Sequence, residues 1–277
     1  MSNIEWTNQT WNPVTGCSKV SAGCKNCYAI TMSHRLQAMP NMQNRYGGTT
    51  KKRENGTINF TGKVMCHEAV LNKPYKWRKS RKVFVNSMSD LFHENVPVSF
   101  IKKVFKVMND TPHHTYQVLT KRPERLKEIN NLVNWSRNIW LGVSCENQET
   151  TNSRIPLLCT TDAKVRFVSF EPLLGEIDLY HDDVIDCFVK YGKNMTEEHA
   201  TNLVNWAIVG GESGHNARPI SLDDIVDLVD NLQEFGVATF VKQLGTQLAK
   251  ELKMSTKKGN VFSEFPKNLQ VREYPKL

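Results

Sequence analysis

The stretch Val83-Phe84-Val85-Asn86-Ser87-Met88-Ser89-Asp90 is a short apolar run that ends in a polar cluster. Three β-branched or aromatic residues in a row suit a strand covered on both faces, the condition of a parallel sheet. After Val96-Pro97, the apolar residues Ile101, Val104, Phe105 and Met108 fall at i, i+3, i+4 and i+7, the spacing of one helix face. Strand, polar turn and helix together make one βα unit.

The unit recurs on either side. Further runs are Tyr116-Gln117-Val118-Leu119, Ile139-Trp140-Leu141-Gly142-Val143, Val165-Arg166-Phe167-Val168, Trp206-Ala207-Ile208-Val209 and Ala238-Thr239-Phe240-Val241. They start about 23 to 41 residues apart, too far for hairpins and right for crossover helices. Arg122-Pro123-Glu124 opens one such helix, with Leu126, Ile129 and Val133 on a face, because proline at a first helical position costs nothing. Leu222, Ile225, Val226, Val229 and Leu232 mark another, and Gly236 offers its stop. Upstream, Glu5 to Trp11 reads as the first strand and Tyr28 to Ala38 as the first helix. About seven units predict an α/β fold with parallel strands, a partial or full TIM-like (βα) barrel over residues 1–245. An open doubly wound sheet is the alternative, since periodicity does not fix closure. Residues 40–82 interrupt the rhythm as a basic insertion after the first helix, residues 176–204 interrupt it again, and residues 246–277 form a C-terminal extension without clear period.

Composition narrows the class. With 277 residues, 39% of them hydrophobic, the chain has ample material for a buried core. No apolar run approaches the length of a membrane span, and the start Met1-Ser2-Asn3-Ile4-Glu5-Trp6 lacks a secretory signal's apolar stretch. Seven cysteines, an odd number, argue against a disulfide framework and for a reducing cytoplasm. The net charge of +8 points to an anionic partner. It is concentrated: between Arg45 and Lys82 eleven Lys and Arg face only Glu54 and Glu68, a local net of 11 − 2 = +9. Phe60, Tyr75 and Trp77 are interleaved with those cations, as in a surface that pairs phosphates and stacks bases.

In parallel α/β folds ligands sit at the carboxyl ends of the strands. Those ends carry Ser87, Ser89 and Asp90, then Lys121 and Arg122, then Ser144, Cys145 and Glu146, then Glu171, then Gly210-Gly211-Glu212 with Arg218 beyond, then Lys242. A charged or hydroxyl side chain at each successive end reads as a functional rim. The Gly210-Gly211 pair would let a ligand approach the backbone, and suits a plain tight turn equally.

Three cysteines join the same rim. Cys17, Cys24 and Cys27 form a C-x6-C-x2-C loop between the first strand and the first helix. Thiolates bind zinc or iron–sulfur clusters. Closed structural zinc takes four ligands, and Cys66 with neighbouring His67 could supply the fourth. Three cysteines without a fourth suit a four-iron cluster with one iron left open to a ligand.

At this point the sequence resembles the radical S-adenosylmethionine superfamily, whose members carry a three-cysteine loop after the first strand of a βα barrel. More narrowly, it resembles a widespread phage-associated three-cysteine family lacking an assigned activity. The likeness is carried by Ile4-Glu5-Trp6-Thr7, Thr10-Trp11-Asn12-Pro13-Val14-Thr15-Gly16-Cys17 and Gly23-Cys24-Lys25-Asn26-Cys27-Tyr28-Ala29. It continues in Ser87-Met88-Ser89-Asp90-Leu91-Phe92-His93, Leu119-Thr120-Lys121-Arg122-Pro123, Leu141-Gly142-Val143-Ser144, residues 166–175 and Val209-Gly210-Gly211-Glu212-Ser213-Gly214. The commonest superfamily loop is C-x3-C-x2-C with an aromatic before the last cysteine; here the first gap is six residues and Asn26 takes the aromatic's place.

The resemblance implies a mechanism. Cys17, Cys24 and Cys27 would hold three irons of a [4Fe-4S] cluster, and S-adenosyl-L-methionine would chelate the fourth. One-electron reduction would release a 5′-deoxyadenosyl radical that takes hydrogen from an unactivated carbon. By position, Ser87, Ser89 and Asp90 would meet the methionine amino group, Lys121 or Arg122 its carboxylate, and Ser144 and Glu146 the ribose hydroxyls. Glu171, Glu212 and Lys242 are left for substrate contact or acid–base work. The chemistry implies a flavodoxin- or ferredoxin-type reductant. Charge and phage likeness together point to a nucleotide, a nucleic-acid base or a modification intermediate as substrate, in a host cytoplasm. The alternative is a zinc-stabilised nucleic-acid-binding protein without catalysis. A metal-dependent hydrolase finds no H-x-H or H-E-x-x-H pattern to support it.

Overall fold

A computed structural model describes residues 4–188 and 203–276. Seven strands form one sheet: β1 (Gln9–Trp11), β2 (Lys82–Val85), β3 (Thr115–Thr120), β4 (Ile139–Ser144), β5 (Val165–Leu173), β6 (Trp206–Gly211) and β7 (Ala238–Gln243). Their order across the sheet is their order along the chain. The ladders β1/β2, β2/β3, β5/β6 and β6/β7 are parallel. A doubly wound sheet must reverse its strand order at a switch point. This one never reverses. The fold is α/β, a partial TIM-like barrel with β1 and β7 as edge strands, and the doubly wound alternative falls away.

The chain divides into two compact units: Met1–Leu141 with Asp162–Lys164, and Gly142–Thr161 with Val165–Leu277. In the first, helix α1 (Tyr28–Gln37) follows the cysteine loop and α2 (Val98–Asp110) follows β2. The face of α2 expected from spacing is the buried one: Ile101, Val104, Phe105 and Met108 are all inside, joined by Phe100 and Val107. Helix α3 (Glu124–Ile129) buries Leu126 and Ile129. The insertion at 40–82 is small and irregular. Thr50–Lys52 pairs antiparallel with Ile58–Phe60, and Met65–Cys66 pairs antiparallel with Val14–Thr15 beside the cysteine loop.

In the second unit α4 (Gln148–Cys159) opens on a capping box, in which the Thr150 amide donates to the Asn147 side chain at 3.1 Å. Helix α5 (Leu222–Glu234) buries Ile225, Leu228, Val229 and Leu232. It stops where the glycine stands. Gly236 has φ +68, and the Val237 and Gly236 amides donate back to Leu232 O and Gln233 O, each at 2.9 Å. That pair of bonds needs a left-handed residue, which glycine supplies without strain. Of the second interruption, Ile185–Phe188 is helical and residues 189–202 lie outside the described residues.

The extension after residue 245 belongs to the second unit. The Val241 amide donates to Val271 O at 2.9 Å and the Glu273 amide to Thr239 O at 2.8 Å, so the tail runs antiparallel along β7. An uncovered edge strand invites association, and the tail covers this one. The Tyr274 ring stacks on Trp206 with centroids 5.4 Å apart. Among the described residues no helix is long and apolar enough to cross a membrane.

Candidate functional site

In the first unit, the ends of β1, β2 and β3 meet around one buried carboxylate. Asp90 is 6% exposed and accepts from the Thr120 hydroxyl, the Phe92 and Lys121 amides at 2.9 and 3.0 Å, and Arg122 Nη1 at 3.2 Å. Arg122 is itself buried, and its guanidinium faces four partners. Nε donates to Glu94 Oε2 at 3.0 Å, Nη2 to the Ser18 carbonyl and hydroxyl at 3.1 and 2.7 Å, and Nη1 reaches Cys17 Sγ at 3.8 Å as well as Asp90. This one arginine therefore ties the cysteine loop to the segments after β2 and β3.

His93 completes the knot. Its Nδ1 accepts from the Asn95 amide at 3.1 Å, which leaves the neutral ring's proton on Nε2, 3.0 Å from Ser18 Oγ. Burial, then the nearby Arg122 cation, holds its pKa below the usual range, so the ring is neutral at pH 7. Ser87 Oγ donates to Asn12 Oδ1 at 3.1 Å and Ser89 Oγ to Val14 O at 2.9 Å. Tyr28, the first residue of α1, donates its hydroxyl to Ser87 O at 2.5 Å.

Cys17, Cys24 and Cys27 are free thiols, each half-buried. Burial pushes the Cys17 thiol up to about 12, with Asp90, Cys27 and Cys24 acting the same way and Arg122 opposing them. Burial likewise raises Cys27, with Cys24 adding to the shift and Lys121 opposing it. The three thiols thus lie within each other's electrostatic reach. A buried thiol that resists ionising without a counter-charge is the donor a metal deprotonates on binding, so donor type and number fit an iron–sulfur cluster. Among the described residues no three His, Cys, Asp or Glu side chains stand in a ready-made ligating group. Cys66 and His67 complete none either: Cys66 is exposed, and His67 Nε2 sits 2.9 Å from Thr15 Oγ1.

In the second unit, the strand ends carry three ion pairs. Ser144 and Glu146 stand at and just past the end of β4, 4% and 0% exposed, and Arg154 Nη1 donates to the Ser144 carbonyl at 2.6 Å and to Glu146 Oε2 at 3.0 Å. Glu171 lies inside β5, which runs past the polar turn expected there, and Lys242 Nζ donates to its Oε1 at 2.5 Å. Glu212 is buried and takes Arg218 in a two-pronged contact, Nε to Oε2 at 2.9 Å and Nη2 to Oε1 at 2.6 Å. Gly211 is there for the backbone and not for a ligand: a Cβ on it would stand 2.3 Å from Leu244 O, and one on Gly245 2.8 Å from Glu212 O. Two loop backbones cross at these glycines, which favours the tight-packing reading of Gly210-Gly211.

One family model matches residues 1–266, under the description "Protein of unknown function (DUF5131)". The chain belongs to this family. No curated protein and no solved structure matches it. For this DUF5131 chain the geometry is therefore the main guide to chemistry. Sequence reasoning missed Asn12, Ser18, His93 and Glu94, which orient the rim. Asn12 and Ser18 flank the cysteine motif closely enough to have been read as part of it, and His93 closes the stretch from Ser87 that carries the resemblance.

The basic insertion divides by exposure. Lys51, Lys52 and Arg53 on its hairpin are exposed, as are Lys73, Lys76, Arg78 and Lys79. Of the three aromatics, Phe60 packs against the buried Ala29, Tyr46 and Met88, and Trp77 sits edge-on to His114 at 5.6 Å with Arg81 over its ring at 5.8 Å. Tyr75 is the exposed one, its hydroxyl donated to Asp110 at 2.6 Å.

Proposed function

We propose that this chain is a radical S-adenosylmethionine enzyme acting on a nucleotide, a nucleic-acid base or a modification intermediate. The observation that carries the reading is the cysteine loop: three unpaired thiols in electrostatic reach of one another, anchored at the carboxyl ends of the first strands of a partial βα barrel. A [4Fe-4S] cluster with S-adenosylmethionine bound supplies, on one-electron reduction, hydrogen abstraction from an unactivated carbon.

The residues of the chain divide into holders and binders. Asp90 and Arg122 are consumed by contacts inside the protein, so they hold the rim in place and do not take up the methionine moiety. Ser87 and Ser89 each donate a hydroxyl hydrogen inward and keep oxygen lone pairs that can accept from an ammonium group. Lys121, half-buried and close enough to Cys27 to favour its thiolate, supplies the cation for a carboxylate. Glu146 is wholly buried beside Arg154 and holds the end of β4. Glu171 and Lys242, each 18% exposed and in contact, form a pair able to pass one proton to or from a substrate. The exposed cations of the insertion would bind the phosphates of the substrate.

The test is purification without oxygen. A brown protein with about four irons and matching sulfide supports the reading, and replacing Cys24 or Cys27 by Ala removes the colour. A colourless protein holding one zinc overturns it in favour of a zinc-stabilised nucleic-acid-binding protein.

A further inference from the structure

Arg122 stands out because its five N–H donors are all spoken for within the chain and none of its partners is casual. Asp90 belongs to the segment after β2, Glu94 to the approach to α2, and Ser18 and Cys17 to the cysteine loop. A guanidinium has five donors for these five contacts, whereas a lysine ammonium has three. Only one of the three cysteines receives this attention: Cys17 Sγ is 3.8 Å from Nη1, whereas Cys24 lies in a short 3-10 turn (Ala22–Cys24) with Ser21 Oγ 3.9 Å away.

We infer that Arg122 is a positioning residue that clamps Cys17 to the strand ends and sets a permanent positive charge against its sulfur. The assignment rests on the proposed reading of Cys17 as a cluster ligand. A hydrogen bond and a cation at a ligating sulfur favour the more negatively charged, reduced form of an iron–sulfur centre. Glu94 is exposed on its free side and balances the guanidinium without burying a further charge. Asp90 fixes the guanidinium plane from below, held in turn by the Thr120 hydroxyl, and His93 fixes Ser18 from the side. The device fixes Cys17 against the strand ends.

Two measurements on Arg122→Met and Arg122→Lys test it. In apo protein, hydrogen–deuterium exchange should label the amides of the Cys17 segment several-fold faster in Arg122→Met than in wild type, with Arg122→Lys between them. In cluster-reconstituted protein, the reduction midpoint should move to more negative potential in Arg122→Met and return most of the way in Arg122→Lys, which keeps the charge. A merely structural arginine would not move the midpoint in step with charge. Unchanged Cys17 labelling in folded variants, or a midpoint that ignores the charge, overturns the inference. If Arg122→Met does not fold, the comparison of Arg122→Lys with wild type decides the labelling. If wild type binds no iron, the proposed function fails, while the apo labelling still decides whether Arg122 holds the loop.

Discussion

Thr120 donates its hydroxyl hydrogen to the Asp90 carboxylate, 2.8 Å from Oδ1 and 3.0 Å from Oδ2, and so ties the end of β3 to the segment leaving β2. Both residues are buried. Removing the carboxylate strands Arg122 as a buried cation without its buried partner, so Asp90→Ala should cost about 3–5 kcal/mol of unfolding free energy. Thr120→Val removes one donor among four and should cost about 1–3 kcal/mol. Urea denaturation checks both; an Asp90→Ala variant as stable as wild type would show the knot to be incidental.

The Glu171–Lys242 contact should behave differently. Each side chain is 18% exposed, so water can partly replace a missing partner. Lys242→Met is expected to cost about 1.5–3 kcal/mol, the range for a hydrogen bond to a charged group. Its iron content should equal that of wild type, because Lys242 takes no part in the cysteine loop. Loss of iron in this variant would tie Lys242 to cluster binding instead.

His67 gives the pH dependence. Thr15 spends its hydroxyl hydrogen on Arg45 O, so His67 Nε2 donates to Thr15. Burial, then the Arg45 guanidinium, lowers its pKa to about 4 from the ordinary value near 6.5. Between those values the unfolded chain binds a proton that the folded chain refuses. Stability therefore rises with pH across that window, and is lost as pH falls from about 6.5 toward about 4. His67→Gln should lack this component. Urea midpoints of the two proteins should diverge across the window; parallel curves would refute the assignment.

The insertion predicts a salt effect. Neutralising Lys76, Arg78, Lys79, Arg81 and Lys82 together should weaken single-stranded nucleic-acid binding and flatten its dependence on salt, by about 0.7 in log–log slope for each phosphate left without its cation. Fluorescence anisotropy at several salt concentrations measures it. An unchanged slope would place the binding surface elsewhere.

Much of the scaffold was legible because burial leaves a period. The α2 face of Ile101, Val104, Phe105 and Met108 and the apolar strand runs follow from which side chains must leave water. Strand order was not legible, since apolarity shows that a strand is covered and not which strand lies beside it. The antiparallel pairing of Val271 and Glu273 along β7 was hidden for a related reason: so short a pairing has no period to read. At the site, residue type revealed location but not commitment. Asp90 and Arg122 carry the charges a zwitterionic ligand would want, yet four donors converge on the first and four partners surround the second. Convergence of that kind depends on residues distant in sequence, and only the folded chain displays it. Gly210-Gly211 was ambiguous for the same reason, resolved by a crossing backbone thirty-odd residues away.

The central claim is that the cysteine loop serves radical chemistry. Its most direct measurement is release of 5′-deoxyadenosine from S-adenosylmethionine by the anaerobically purified protein after chemical reduction. Wild type should release it and Cys27→Ala should release none. An iron-replete wild type that releases none, or a Cys27→Ala variant that releases as much, would contradict the claim.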